Sequence, residues 1–166
     1  MRSQRDSDPW PMISQKAKYA LRALIFLARA EEPDEALLIS DIAEQQRIPK
    51  RFLEQILLDL KHHGLVMSRR GKLGGYLLLR KPSEITFGEV LRIIDGPIAP
   101  LPCLSRMAYR PCEDCHSEET CEVRQVFARV AEATRKVLDG TTLADCIQAE
   151  DAEDLEALRR AREESE

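Results

Sequence analysis

Four of the five cysteines in this 166-residue chain crowd into one stretch, spaced as Cys103-x8-Cys112-x2-Cys115-x5-Cys121. Thiolates are soft ligands that select zinc or iron-sulfur clusters over magnesium or calcium. Four in one loop can close around a metal centre without help from the rest of the chain. A structural zinc site is usually built from two paired knuckles; here only Cys112 and Cys115 are paired, and the irregular spacing of Cys103 and Cys121 suits an iron-sulfur cluster, 2Fe-2S or 4Fe-4S, better. Glu113 and His116 are the competing ligands nearby, although a lone histidine in a polar loop is more often a solvated side chain. The thiols can also be read without iron, as a zinc site or as free or reversibly paired cysteines. Cys146 stands apart within a helical pattern and reads as a small buried hydrophobe.

A second group of residues could read a nucleic acid. Between Pro49 and His63, the residues Leu53, Ile56, Leu57 and Leu60 fall on one face of a helix, which must bury them. Arg51, Glu54 and Gln55, with Leu58, then line another face, and Lys50 stands at its start. Their chemistry matches base edges: Arg51 can donate to guanine, Gln55 can bridge adenine, and Glu54 can accept from the cytosine amino group. Downstream, two β-prone runs, Leu65 to Arg70 and Tyr76 to Arg80, flank Gly71-Lys72-Leu73-Gly74-Gly75, a hairpin with a basic tip. Arg69, Arg70 and Lys72 on that hairpin suit phosphates or a narrow minor groove. Alone, a polar helix face is usually just solvated; the basic hairpin beside it favours DNA.

The elements that must position these groups are legible as periodicities and caps. Ser14 is placed to cap a helix to about Ala30, with Ala17, Leu21, Leu24 and Ala28 as its buried stripe. Pro33 and its acidic neighbours end that helix. Ala36 to Ile39 reads as a short strand, and Ser40 as the cap of a brief helix through about Gln46. Pro49 opens the reading helix and Gly64 ends it in the left-handed conformation, with His62 and His63 near the helix-dipole terminus. Thr86-x-x-Glu89 is a capping box for a helix ending at Gly96-Pro97. The proline-rich stretch from Pro97 to Thr120, which holds the cysteines, cannot be regular throughout. From about Cys121 to Leu138 a further helix aligns Val123, Phe127, Val130, Thr134 and Val137 into a seam, widened by Val126 and Ala133, that fits another helix. Gly140 stops it, and Thr142 and Asp145 can cap a short helix.

The fold expected from this order is mostly α: a winged helix-turn-helix with a small β-hairpin wing, followed by a long C-terminal helix. Its parts are a flexible arm at 1–12, a reader at 13–82, the cysteine loop and long helix at 83–148, and an acidic tail at 149–166. The net charge of -4 hides a strong asymmetry. Arg47 to Lys81 contains nine Lys and Arg against two Asp and Glu, whereas Glu150 to Glu166 contains eight acids against three arginines. A basic reader inside an acidic chain is compatible with DNA binding, because local charge governs the contact. No run approaches the length of a membrane span and the start lacks a signal-peptide core, so a cytoplasmic protein without membrane partners is expected. In a reducing compartment clustered cysteines serve as metal ligands or redox thiols more often than as disulfides. A small redox carrier would have no use for the basic reader.

Taken together, Lys18-Tyr19-Ala20, Phe52-Leu53-Glu54-Gln55-Ile56-Leu57, Gly64-Leu65-Val66, Arg70-Gly71 with Gly74-Gly75-Tyr76-Leu77, and Gly88-Glu89-Val90 form a specific pattern. From about Ser14 to Cys146 the chain resembles the winged-helix iron-sulfur transcription regulators of the IscR, NsrR and RirA type. The resemblance implies a non-enzymatic DNA-binding regulator, a repressor, responsive to redox state, nitric oxide or iron. It places Arg51, Glu54 and Gln55 on the reading helix, Arg70 at the start of the wing, and Cys121 to Leu138 on the dimerisation helix. Homodimers of this type read imperfect palindromes in double-stranded DNA. Sensors of the family commonly use three cysteines and a fourth ligand of another kind; Cys103, Cys115 and Cys121 match the three, and Cys112 is extra and available as the fourth. Cluster-free members also exist, which keeps a thiol-dependent or zinc-dependent regulator of the same fold open.

Overall fold

The computed structural model describes residues 13–30, 35–113 and 115–148. The N-terminal arm, Pro33 and the acidic tail from Glu150 lie outside the described residues. The elements in order are α1 (Gln15–Ala28), α2 (Ile39–Gln45), α3 (Lys50–His62), β1 (Val66–Arg69), β2 (Gly75–Leu78), α4 (Phe87–Asp95) and α5 (Glu122–Gly140). This is a mostly helical fold with a winged helix-turn-helix at its N-terminal end.

Helix α1 begins as its sequence dictates, with the Ser14 hydroxyl accepting the Ala17 N–H at 3.0 Å. Ala17, Leu21 and Leu24 are buried, while Ala28 at the end of the helix is only half-buried. The expected strand at Ala36 to Ile39 shrinks to a single bridge, in which Leu37 and Tyr76 exchange both backbone hydrogen bonds at 2.8 Å. Gly75 permits this approach: its φ is +149°, and a Cβ there would stand 2.3 Å from the Leu37 carbonyl oxygen. The chain turns into α2 immediately afterwards, so Leu38 rather than Ser40 is its first capping residue. Ser40 lies inside the first turn and directs its hydroxyl to the Asp41 carboxylate at 3.2 Å.

The reading helix α3 buries Leu53, Ile56, Leu57 and Leu60 completely. Each such side chain contributes about 1.5 to 3 kcal/mol by leaving water. Gly64, at φ +72°, ends the helix in the left-handed region, which costs glycine little. The hairpin pairs Val66 with Leu78, Met67 with Leu77, Ser68 with Tyr76 and Arg69 with Gly75. Lys61 reaches from α3 to the Ser68 hydroxyl at 2.6 Å and ties the wing to the reading helix.

The same core continues beyond the hairpin. Ile85, Val90 and Leu143 are fully buried with Leu24, Ile42 and the α3 stripe. Leu143 arrives from the far end of the chain, its N–H donating to the Ile85 carbonyl at 3.0 Å, while Phe87 N–H donates to the Thr141 carbonyl at 3.0 Å. Thr142 and Asp145 cap helical residues 143–148 reciprocally, with N–H to side-chain bonds of 2.8 and 3.3 Å. Cys146 lies on this turn and is half-buried rather than buried, because Leu143 takes the core-facing position.

Thr86 caps α4 by accepting the Glu89 N–H at 3.2 Å. Glu89 turns its carboxylate to Arg80 at 2.6 Å, which links the end of the wing to α4. Helices α4 and α5 are clamped by a bidentate pair, Arg92 to Asp139 at 2.7 and 2.9 Å. The clamp lies against Gly88, where a Cβ would meet an Asp139 carboxylate oxygen at 1.9 Å. Ala131 is the buried residue of α5, and Leu138 packs on the core. Val123, Val126, Val130 and Val137 remain substantially exposed. No helix among the described residues is long and apolar enough to cross a membrane.

Candidate DNA-reading face and cysteine cavity

The structure leaves every expected reader residue accessible. Lys50, Arg51, Glu54 and Gln55 are all exposed on α3, and Arg69, Arg70 and Lys72 are exposed along the hairpin. At the wing tip Gly74 N–H donates to the Gly71 carbonyl at 3.0 Å, and Leu73 projects into solvent. Asp59, one turn beyond Gln55, accepts both from Gln55 Nε2 at 3.2 Å and from Lys16 at 2.6 Å. The Lys16 ammonium, with Gln55 assisting and burial opposing, holds the Asp59 carboxyl below its ordinary value. Asp59 therefore remains an acceptor at neutral pH and orients Gln55 from behind. The reader's positioning pair Lys16 and Asp59 is absent from the sequence expectations, because their partnership spans two helices.

His63 stands at the C-terminal cap of α3, with its Nδ1 2.9 Å from the Asp59 carbonyl oxygen. His62 lies in the last turn of the same helix. Both positions agree with a helix-terminal role.

The loop between α4 and α5 is irregular apart from a 3-10 turn at Pro102–Leu104. It folds so that Cys103, Cys112, Cys115 and Cys121 all line one cavity of about 340 Å³, closed by Leu101, Pro102, Val123 and Arg124. Cys103 is buried in the 3-10 turn, Cys112 is exposed, and Cys115 and Cys121 are half-buried. Cys121 is the N-terminal cap of α5, its sulfur accepting the Arg124 N–H at 3.4 Å. Burial, followed by the neighbouring Cys121 sulfur, holds the Cys115 thiol above its ordinary value, and a Ser117 backbone hydrogen bond opposes this. Ligation at Cys115 must therefore displace a proton.

Among the described residues, no three Cys, His, Asp or Glu side chains are close enough together to hold one metal ion. The four thiols share a cavity rather than a single coordination sphere. This soft, mostly apolar donor set is of the kind that takes zinc or an iron-sulfur cluster. His116 and Glu113 are not among the lining residues. The lining does include Arg124, and a Tyr109 hydroxyl donates at 2.5 Å to Glu118, which in turn faces Arg124 at 3.5 Å. No spacing rule points to these three side chains, which meet only when the loop closes on α5.

Comparison with known proteins agrees with this architecture. Residues 13–149 match the family model Rrf2, described as Iron-dependent Transcriptional regulator. A protein from Rhodobacter capsulatus named as an rrf2-like HTH-type transcriptional regulator is 53% identical over 141 residues, which is 83% of this chain and 93% of that one. The structure of CymR, the global cysteine regulator of B. subtilis, superposes with a TM-score of 0.69 at 33% identity, covering 82% of this chain and 96% of its own. IscR of T. potens superposes at 0.64 with 29% identity, covering 86% and 89%.

Proposed function

We propose, since the chain belongs to the Rrf2 family of transcriptional regulators, that it is a homodimeric repressor whose affinity for DNA is set by an iron-sulfur cluster. The relatives reported above are regulators of transcription rather than enzymes. DNA binding is the activity of the family. The cluster, its ligands and the base-reading residues are our reading of this chain.

One observation carries the cluster: four cysteines of irregular spacing converge on a single cavity at the start of α5. Cys103, Cys112, Cys115 and Cys121 would hold it. When bound, an iron-sulfur cluster supplies reversible one-electron chemistry and sensitivity to oxidants, nitric oxide and iron supply. The chain's own residues supply the readout. Arg51, Glu54 and Gln55 face base edges, and Lys50, Arg69, Arg70 and Lys72 hold phosphates. A second copy packs on the exposed Val123, Val126, Val130 and Val137 of α5, and the resulting twofold axis places two reading helices on an imperfect palindrome. With the cavity filled, the proline-rich loop is fixed and sets the angle between α5 and the reader.

Anaerobic purification with iron and sulfide counts tests the assignment. Serine at Cys103, Cys112, Cys115 or Cys121 should reduce iron content and visible absorption, and serine at Cys146 should not. The reverse pattern would refute the ligand set. A thiol-dependent regulator is the second reading, favoured by the contact between the Cys115 and Cys121 side chains; it is the outcome if wild-type protein carries no iron.

A further inference from the structure

Leu73 is the most exposed large hydrophobic side chain among the described residues, at 85%. A lone surface leucine is ordinary, but this one occupies an unusual place. It stands with Lys72 at the apex of the turn between β1 and β2, which the Gly74 N–H closes on the Gly71 carbonyl at 3.0 Å. Turn apices favour Gly, Asn, Asp, Ser or Pro for backbone reasons, and none of those reasons calls for leucine. The turn is also braced. Gly74 beneath it is buried, and a Cβ there would stand 2.6 Å from the Arg69 carbonyl oxygen and 2.8 Å from that of Gly71. Leu73 is thus held out at the end of a compact hairpin, which Lys61 ties to the reading helix through Ser68.

The neighbours of Leu73 point to what would cover it. Arg69, Arg70 and Lys72 are all exposed on the same hairpin, so the tip combines an apolar point with a collar of cations. A purely apolar partner would leave those charges stranded, whereas phosphates on either side of a groove match them. The minor groove of DNA offers both features: two phosphate walls, and base steps between which a leucine can wedge.

We propose that Leu73 is an apolar wedge: Lys72 and the neighbouring arginines seat the wing tip over the minor groove, and Leu73 enters there, partly unstacks one base step and bends the duplex. Pyrimidine–purine steps such as TA and CA unstack most readily, so Leu73 selects such a step outside the bases that α3 faces. This preference needs no hydrogen bond to a base. The proposal rests on the reading of the wing as a DNA contact and is independent of the cluster.

Wild type, K72A, L73A and L73M, purified without oxygen, are each used to select duplexes from a random-sequence library. Wild type should enrich TA or CA at one fixed position per half-site, apart from the bases read by α3. L73A should keep the α3 bases and lose the step, and the apolar L73M should keep both. On the wild-type-selected duplex, L73A should bind about tenfold more weakly, the size expected when a leucine loses buried surface. Its salt slope should not change, because no phosphate contact is lost, whereas K72A should flatten the slope by about one unit and keep the step. With 2-aminopurine in place of the adenine of that step, emission should rise on binding of wild type and L73M, as the base unstacks, and stay flat with L73A. Truncating so exposed a side chain leaves the core untouched, so L73A folds as wild type does.

An unchanged step preference and the same rise in emission with L73A, while K72A weakens binding, overturn the wedge and leave the wing as a plain phosphate contact. If K72A and L73A both match wild type on every duplex, the wing does not meet DNA and the wedge falls with that reading.

Discussion

The two ends of the molecule are built on different terms. Around the reader, α1 to α3 and the hairpin close with α4 and Leu143 on a common core in which Leu24, Ile42, Leu53, Ile56, Leu57, Leu60 and Val90 are fully buried. In α5, 19 residues long, Ala131 is the one buried residue and a row of valines faces outwards. An apolar helix face left in water is unfavourable, and the function proposed here covers that face of α5 with a second copy. The proposed switch is placed at this end, because only an element whose partners can change can be switched.

The largest effects should separate the two ends by the concentration dependence of stability. Leu57→Ala, which empties a fully buried site, should lower stability by about 2 to 5 kcal/mol through lost burial and cavity formation. Val126→Glu, on an exposed part of α5, should change the stability of a single chain by no more than about 0.5 kcal/mol yet dissociate the dimer. Denaturation at several protein concentrations, with sedimentation, checks both. An intact Val126→Glu dimer would remove this face from the interface.

Smaller changes divide the DNA surface. Glu54→Ala or Gln55→Ala should relax preference at one position per half-site by about 1 to 3 kcal/mol. Lys72→Ala should weaken binding to specific and random DNA alike and flatten the salt slope by about one unit. Equal losses on both DNAs for all three variants would mean that α3 anchors without reading.

Much of this contrast was legible in the sequence, because local chemistry fixes it. The α3 stripe, the Ser14 and Thr86 caps, Gly64 and the hairpin follow from spacing and from residues suited to particular backbone conformations. The strand expected at Ala36 to Ile39 failed because its pairing is limited to Leu37, whose approach depends on Gly75 more than thirty residues later. Ser40 lost the capping position for the same reason: α2 starts directly after that bridge. In the site, the gathering of the cysteines was foreseeable from their number. Arg124, Glu118 and Tyr109 were not, because an arginine three residues into a helix ordinarily points into water. The return of Leu143 to the reader core was equally hidden, although its Thr142 and Asp145 cap was readable.

The smallest expected effect concerns the clamp between the two ends. The Arg92 hydrogen bonds hold the Asp139 carboxyl below its ordinary value. Its contribution is therefore full above about pH 4, the ordinary aspartate value, and is lost as pH falls through the lower folded-state value. The Asp139 side chain is 43% exposed, which limits the pair to under about 1 kcal/mol after solvent screening. Asp139→Asn should flatten this part of the stability curve in acid titrations. An identical curve would show that the clamp contributes nothing.

The affinity of cluster-loaded and cluster-free dimers for one palindromic site, at matched salt and without oxygen, tests the switch most directly. A cysteine cavity coupled to the reading helices predicts a difference of at least about fivefold, the lower end of ordinary coupling energies of about 1 to 3 kcal/mol. Equal affinities, with both forms dimeric and the loaded form retaining its iron, would contradict it.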